Sequence, residues 1–230
     1  MDNYYLKMLL LSDTTFGRGD GVAGLIDQEV EHDINGFPYL RGRTLKGLLS
    51  EECDNLISVL SEPPPFRWIK AAEHLFGIPG STLGTISKMH VGEACLPPDL
   101  RREVGLQLDQ ERDREQRGQE RRLTESDVLA SLTTIRRQTS IDPEDGAPVE
   151  HSLRSSRAIL RDFCFTAQLL FEEKPTADMV ALLAVSTLAL RRVGSVRNRG
   201  RGHVRCTLHD STGKEVTKDH FHYFEKETKV

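Results

Sequence analysis

The sequence predicts an α+β fold, and three features of its 230 residues predict it. Apolar residues alternate at period two in the C-terminal half, where Phe163, Phe165, Ala167, Leu169 and Phe171 form one series and Val204, Cys206 and Leu208 another. Nearer the N-terminus, Leu45, Leu48, Leu49, Leu56, Ile57 and Leu60 share one face at helical spacing. Between these regions lies a charge-rich stretch that fits neither period.

In chain order, residues 4–11 read as a buried strand. Residues 12–34 are rich in Gly and Asp and read as a long loop, which inside a domain is usually functional. Residues 37–40 lead into the first helix, which Pro63, Pro64 and Pro65 end. A second helix over about 68–76 stops at Gly77 and Pro79, with Trp68 facing the core. Residues 84–95 contain a strand. From 97 to 122 the composition shifts, and the alternating charges of 109–122 read as a solvated helix or a disordered excursion. Thr124-Glu125-Ser126-Asp127 is a capping box that starts a short helix carrying Val128, Leu129 and Leu132. Residues 133–141 and 149–159 flank Asp142-Pro143-Glu144-Asp145-Gly146, which has strong turn chemistry. They predict a hairpin whose arms carry Arg136, Arg137, Arg154 and Arg157. A half-buried strand follows at 163–171. Thr176 caps a helix running to about Arg192, with Gly194 just beyond its end. A strand at 204–208 and a turn at Asp210-Ser211-Thr212-Gly213 precede a tail holding His220-Phe221-His222-Tyr223-Phe224. The outer order is strand, helix, strand, insertion, strand, helix, strand. It is compatible with a single domain over 1–230 built on a ferredoxin-like (RRM-like) core, with an inserted hairpin/helical region at about 97–160.

Bulk composition narrows the function. Thirty-one Lys and Arg against 35 Asp and Glu give a net charge of −4, which argues against a protein that binds polyanions by total charge. The apolar run at 8–11 is too short for a signal peptide or membrane span, so no membrane partner is expected. Cys53, Cys95, Cys164 and Cys206 lie far apart without a C-x-x-C pair, which speaks against a zinc module or disulfide framework and suits a reducing cytoplasm.

Against that acidic background, Arg191, Arg192, Arg197, Arg199 and Arg201 crowd around Gly194, Gly200 and Gly202 with no acid among them. Glycine lets the backbone approach a ligand closely, and the arginine fork matches phosphate oxygens. The concentration points to a nucleic-acid backbone. Gly42-Arg43-Thr44-Leu45-Lys46-Gly47 opens the first helix, where free amides with Arg43, Thr44 and Lys46 suit a phosphate. Gly19-Asp20-Gly21-Val22-Ala23-Gly24 fits G-x-G-x-x-G, but no helix follows directly and no partner acid stands ~20 residues on, so dinucleotide binding is not supported. Asp13, Asp20, Asp27, Glu29 and Asp33 share one loop. An Asp beside an RNA backbone can orient a divalent ion or act on a 2′-hydroxyl. Asp27 follows the apolar Leu25-Ile26, which can anchor it. Asp20 stands between glycines, and Asp33 lies near the Asn35-Gly36 turn. His151 and His203 sit beside basic segments without forming a catalytic pattern.

Taken in order, these segments resemble the RAMP superfamily, and within it the small backbone subunit of type III CRISPR effector complexes. The resemblance runs through the glycine loop at 16–26, Ile26-Asp27, Gly36 to Gly47, Leu75-Phe76-Gly77, Thr139-Ser140-Ile141-Asp142, Gly146, His151-Ser152-Leu153-Arg154 and the Gly/Arg loop at 194–204. It implies that copies or homologues of the chain line up along a CRISPR RNA with other effector subunits. The guide backbone would be gripped by Arg41, Arg43, Thr44 and Lys46 at the helix start and by Arg197, Arg199, Gly200, Arg201 and Gly202 in the loop. The hairpin would act as a thumb that kinks the guide–target duplex, with Arg136, Arg137 and Arg154 along it. By the same resemblance Asp27 is the catalytic and metal-binding acid, with Asp20 and Asp33 as neighbours in the same loop. With Mg²⁺ or Mn²⁺ it would promote endonucleolytic cleavage of target RNA by the RNA's own 2′-hydroxyl. The superfamily also contains subunits that hold guide RNA without cutting, so a non-catalytic scaffold is the alternative.

Overall fold

A computed structural model describes residues 3–21, 26–60, 65–78, 87–149, 152–195, 197 and 199–228. The elements run β1 (Asn3–Leu10), α1 (Gly42–Ser58), α2 (Phe66–Phe76), β2 (Met89–Val91), α3 (Pro98–Gln116), α4 (Glu125–Leu132), β3 (Thr133–Gln138), β4 (Arg154–Ile159), β5 (Cys164–Phe171), α5 (Ala177–Ala189), β6 (Val204–His209) and α6 (Thr217–Thr228). The chain is thus α+β, with one four-stranded antiparallel sheet in the order β2-β5-β1-β6. That order, with crossover helices between β1 and β2 and between β5 and β6, is consistent with a ferredoxin-like core.

Period-two alternation builds the sheet as the sequence suggests. Leu6, Met8 and Leu10 point to the buried face, where Phe165, Ala167 and Leu169 of β5 and Val204, Cys206 and Leu208 of β6 join them. Leu45, Leu49, Trp68 and Leu75 complete this core from α1 and α2. Every residue of α5 from Met179 to Thr187 is buried, which is why that helix shows no polar stripe. The Trp68 ring lies 4.7 Å from that of Phe224 of α6, tilted by 51° to it, and α6 is a helix where the sequence predicts only a tail.

The charged middle is ordered helix through Gln116. Ion pairs at i,i+3 spacing (Arg112–Asp109 and Arg114–Glu111) run along it, and Arg101–Asp33 (2.8 Å) and Arg112–Glu125 (2.7 Å) tie it to the rest of the protein. The capping box forms as expected: Asp127 accepts from the Thr124 amide at 2.8 Å, and the Thr124 hydroxyl accepts from the Asp127 amide at 3.3 Å. The proline stop of the first helix falls partly at 61–64 and the expected start of the second strand at 84–86. Both lie outside the described residues. Pro65 caps α2 instead.

The hairpin β3–β4 stands apart as its own sheet, with Gln138 opposite Arg154 and Thr133 opposite Ile159. It is joined to the core at its base, where Thr14 and Ile159 exchange backbone hydrogen bonds of 3.0 and 2.7 Å.

Candidate functional site

The long loop after β1 is fastened to the hairpin. The amides of Asp27 and Gln28 donate to the Ser155 carbonyl at 3.0 and 3.3 Å, and the Arg157 amide donates to the Gln28 carbonyl at 3.0 Å. Residues 27–28 therefore run parallel to β4 as a short added strand, with Gln28 paired to Ser156. Side chains reinforce the seam. The Arg157 Nε donates to Glu29 Oε1 at 2.8 Å, and its guanidinium also reaches the Thr133 hydroxyl at 3.2 Å. Glu29 is buried, and the Val30 amide donates to the same oxygen at 2.8 Å, so this charge is both paired and hydrogen-bonded.

This seam sets Asp27. The Ser155 amide donates to Asp27 Oδ2 at 2.6 Å and the Ser155 hydroxyl at 3.2 Å. These bonds, the backbone one foremost, hold the exposed carboxyl below the usual Asp range, with the Arg154 charge adding to them. The carboxylate is ionised at neutral pH and faces a cleft of about 530 Å³ shared with Asp20, Gln138, Arg154, Ser195 and Arg199.

The Gly/Arg loop forms the opposite wall. It is pinched at its base: the Val193 amide donates to the Gly202 carbonyl at 2.9 Å, and Arg192 bridges to His203. Gly194 (φ 89°) and Gly202 (φ 73°) turn left-handed there. A Cβ on Gly194 would run into the Thr15 carbonyl, and one on Gly202 into the Val193 carbonyl. The close packing fixes the loop against residues 13–15, with the Ser195 amide donating to the Thr15 carbonyl at 3.0 Å. Arg197 forks onto Glu51 at 3.2 Å, and Arg201 reaches the Ser156 hydroxyl at 3.1 Å. A second cleft of about 250 Å³ opens on the other side of Ser195, lined by Arg41, Thr44 and Arg197 and also by the buried Glu31, which pairs with Arg41 at 2.6 Å. There α1 begins without a side-chain cap.

The structure therefore gathers two groups of the residues expected from sequence. Asp27, Arg154 and Arg199 share the first cleft, and Arg41, Thr44 and Arg197 share the second, with Ser195 common to both. Other expected residues stand elsewhere. Lys46 turns inward and donates to the Met89 carbonyl at 3.2 Å, and burial pushes its pKa down. Arg43 and Arg137 are exposed but line neither cleft, and Arg136 is paired with Asp13. Gly200 (φ 77°) is an exposed turn residue of the loop.

The three rival acids now differ. Asp33 accepts from the amides of Asn35 and Phe37 at 2.9 and 3.0 Å and pairs with Arg101, away from both clefts. Asp20 lies in the first cleft but is paired with Arg18 at 2.6 Å. Ile26 is buried as the anchoring argument for Asp27 requires; Leu25, Val22 to Gly24 and His151 lie outside the described residues. Sequence reading does not single out Ser155, Gln138 or Ser195. Ser155 meets Asp27 across 128 residues, a separation at which no local pattern signals proximity.

Among the described residues no cluster of three or more His, Cys, Asp or Glu side chains is placed to hold a metal ion. Asp27 shares its cleft with Asp20, which is paired with Arg18, and so sparse a donor set fits an ion that keeps most of its waters and takes remaining ligands from phosphate, as Mg²⁺ commonly does.

An α+β core carrying a detached hairpin, a fastened acid loop and a glycine-pinched arginine loop defines the class of protein. The profile of the RAMP superfamily matches residues 7–205, and the chain belongs to that superfamily. Solved structures with a similar fold include a chain of the type III-B Cmr-beta complex bound to cognate target RNA. It has 15% identity, covers 95% of this chain and 98% of its own, and gives a TM-score of 0.61. A chain of the same complex in its apo state has 15% identity, covers 90% and 96%, and gives a TM-score of 0.60. Among curated protein sequences nothing matches the chain. Among the described residues no helix is long and apolar enough to cross a membrane.

Proposed function

We propose that this RAMP protein is a ferredoxin-like, cytoplasmic backbone subunit of a type III CRISPR effector complex that binds CRISPR RNA and cleaves complementary target RNA. One observation carries the reading: Asp27, Arg154 and Arg199, from three distant segments, share one cleft. The arginines from hairpin and loop suit successive phosphates, and the ionised carboxylate suits the reacting position between them. Further along, Arg41, Thr44 and Arg197 extend the grip, and the Arg197–Glu51 pair, exposed and weak, exchanges for a phosphate. The other subunits of the complex, including copies or homologues of this chain, would be its partners.

In the reaction the target's 2′-oxygen attacks the adjacent phosphorus and gives up its proton to solvent, while the bond from phosphorus to the 5′-oxygen breaks and that oxygen takes a proton from solvent. The products are a 2′,3′-cyclic phosphate and a 5′-hydroxyl end. A carboxylate held below the usual range is a poor general base at neutral pH, so Asp27 orients water or a cation rather than taking the proton itself. Mg²⁺ or Mn²⁺ held by Asp27 and phosphate oxygens would supply charge stabilisation at the phosphorus. Arg154 and Arg199 hold the strand in register with the acid.

A second reading has a specific observation in its favour. Asp27 already accepts two hydrogen bonds from Ser155, as an acid that merely staples the loop to the hairpin would. On that reading the chain is a scaffold for guide RNA. Asp27→Asn in the assembled complex separates the two. We expect a labelled complementary RNA to remain bound and uncut with Mg²⁺ or Mn²⁺. Undiminished cutting rejects the catalytic reading, and cutting lost only in Asp20→Asn would move the role to that acid.

A further inference from the structure

The position of Asp27 is set by the hairpin rather than by the strand that precedes it in sequence. Residues 27–28 borrow their backbone hydrogen bonds from β4, through the Ser155 carbonyl and the Arg157 amide. The carboxylate is then aimed by one residue, whose amide and hydroxyl reach the same oxygen at 2.6 and 3.2 Å. Two donors converging on one oxygen restrict both torsions of an Asp side chain that is otherwise exposed to solvent. The adjoining Glu29–Arg157 pair prevents the segment from sliding along β4.

Resting on the cleavage reading above, we infer that Ser155 is a positioning residue, which fixes the Asp27 carboxylate to the hairpin and so couples the placement of the acid to the placement of the hairpin. The Ser155 amide is retained in Ser155→Ala and Ser155→Thr, so the hydroxyl is the part these variants remove or restore. A carboxylate loosened by about 1 Å loses most of its rate while the strand stays bound, because Arg154, Arg199 and the second cleft supply the grip.

The test uses the assembled effector complex with a labelled complementary RNA under single-turnover conditions, comparing the native protein with Ser155→Ala, Ser155→Thr and Asp27→Asn. Two readouts accompany the rate: target dissociation constant, and Mn²⁺ bound to a complex loaded with 2′-deoxy, uncleavable target, followed by electron paramagnetic resonance. We expect Ser155→Ala to cut about tenfold or more slowly, with target affinity unchanged and Mn²⁺ binding weakened. Ser155→Thr, which restores the hydroxyl, should recover both rate and Mn²⁺ binding. A Ser155→Ala complex with native rate and native Mn²⁺ binding, beside an inactive Asp27→Asn, overturns the positioning role and leaves the cleavage reading intact. A Ser155→Ala complex whose loss appears only as weaker target binding also overturns it. Cutting by Asp27→Asn rejects the cleavage reading itself.

Discussion

Asp20, Asp27 and Asp33 share one loop, yet each carboxylate meets a different environment. Asp33 closes its own turn and anchors α3 through Arg101. Asp33→Ala should therefore lower stability by about 1 kcal/mol or more, seen as an earlier urea midpoint, while cleavage changes little. Glu125 allows a prediction with a definite pH sign. Its carboxyl is held down to about 2, first by its own backbone amide and then, against the cost of burial, by Arg112 and Arg121. A folded-state pKa below the unfolded value of about 4.3 stabilises the protein above that pH. That stability is lost as the pH falls toward 2. Glu125→Gln should thus melt earlier than the native protein at pH 7, and the gap should close on going to pH 3 and below. Scans at several pH values check this, and a gap independent of pH would rule out the charge as its origin.

At the scale of elements, the hairpin's ladder lies within 133–138 and 154–159, and its exposed tip is held by the Ile141–Pro148 bridge and by local hydrogen bonds such as Asp142 to Ala147 and Val149 to Ser140. Replacing 142–146 with a tight two-residue turn should leave melting behaviour nearly intact. It should shift or weaken target cleavage, which mapping the product ends would reveal. Unchanged products would separate the tip from the spacing of cuts. Trp68 shows the opposite behaviour: almost fully buried between α2 and α6, it should cost about 3–5 kcal/mol when cut to Ala. Denaturant unfolding monitors that loss. The elements legible in the sequence are those with a clean period or cap, such as β5, α1 and the Thr124 box. The helix α6 is not legible, because only Thr217 and Phe224 are buried and its aromatic run gives no single apolar face. The full length of α3 is obscured too, because ion pairs rather than apolar spacing hold it.

On the scale of the whole molecule, the arginine loop and the acid loop are each readable from composition, but their meeting is not. The first cleft draws on Asp20, Asp27, Gln138, Arg154 and Arg199, and only the folded sheet and hairpin bring these together. Sequence gives residue types at a site. It does not reveal that Lys46 turns inward to the Met89 carbonyl while Arg41 lines a cleft. The two clefts joined at Ser195 predict a continuous track for a phosphate backbone. Changing Arg197, Arg199 and Arg201 together to Ala should weaken guide RNA binding irrespective of sequence. The salt slope should fall by about one unit for each phosphate-binding charge removed. Titrations at several salt concentrations measure this, and an unaltered slope would place the grip elsewhere.

The central place of β1 in the sheet has a consequence for how the protein is made. Both of its neighbours, β5 and β6, leave the ribosome long after β1. Their pairings join segments far apart in sequence, so closing the sheet carries a high loop-closure entropy and a high contact order. The nascent chain must hold an unpaired apolar strand, Leu6, Met8 and Leu10 included, until β5 has emerged, and one open side of that strand until β6 has followed. Chains released before that point lack an edge of the sheet and a wall of the core. Protease resistance in stalled nascent chains should accordingly begin only once β5 has emerged and be completed with β6.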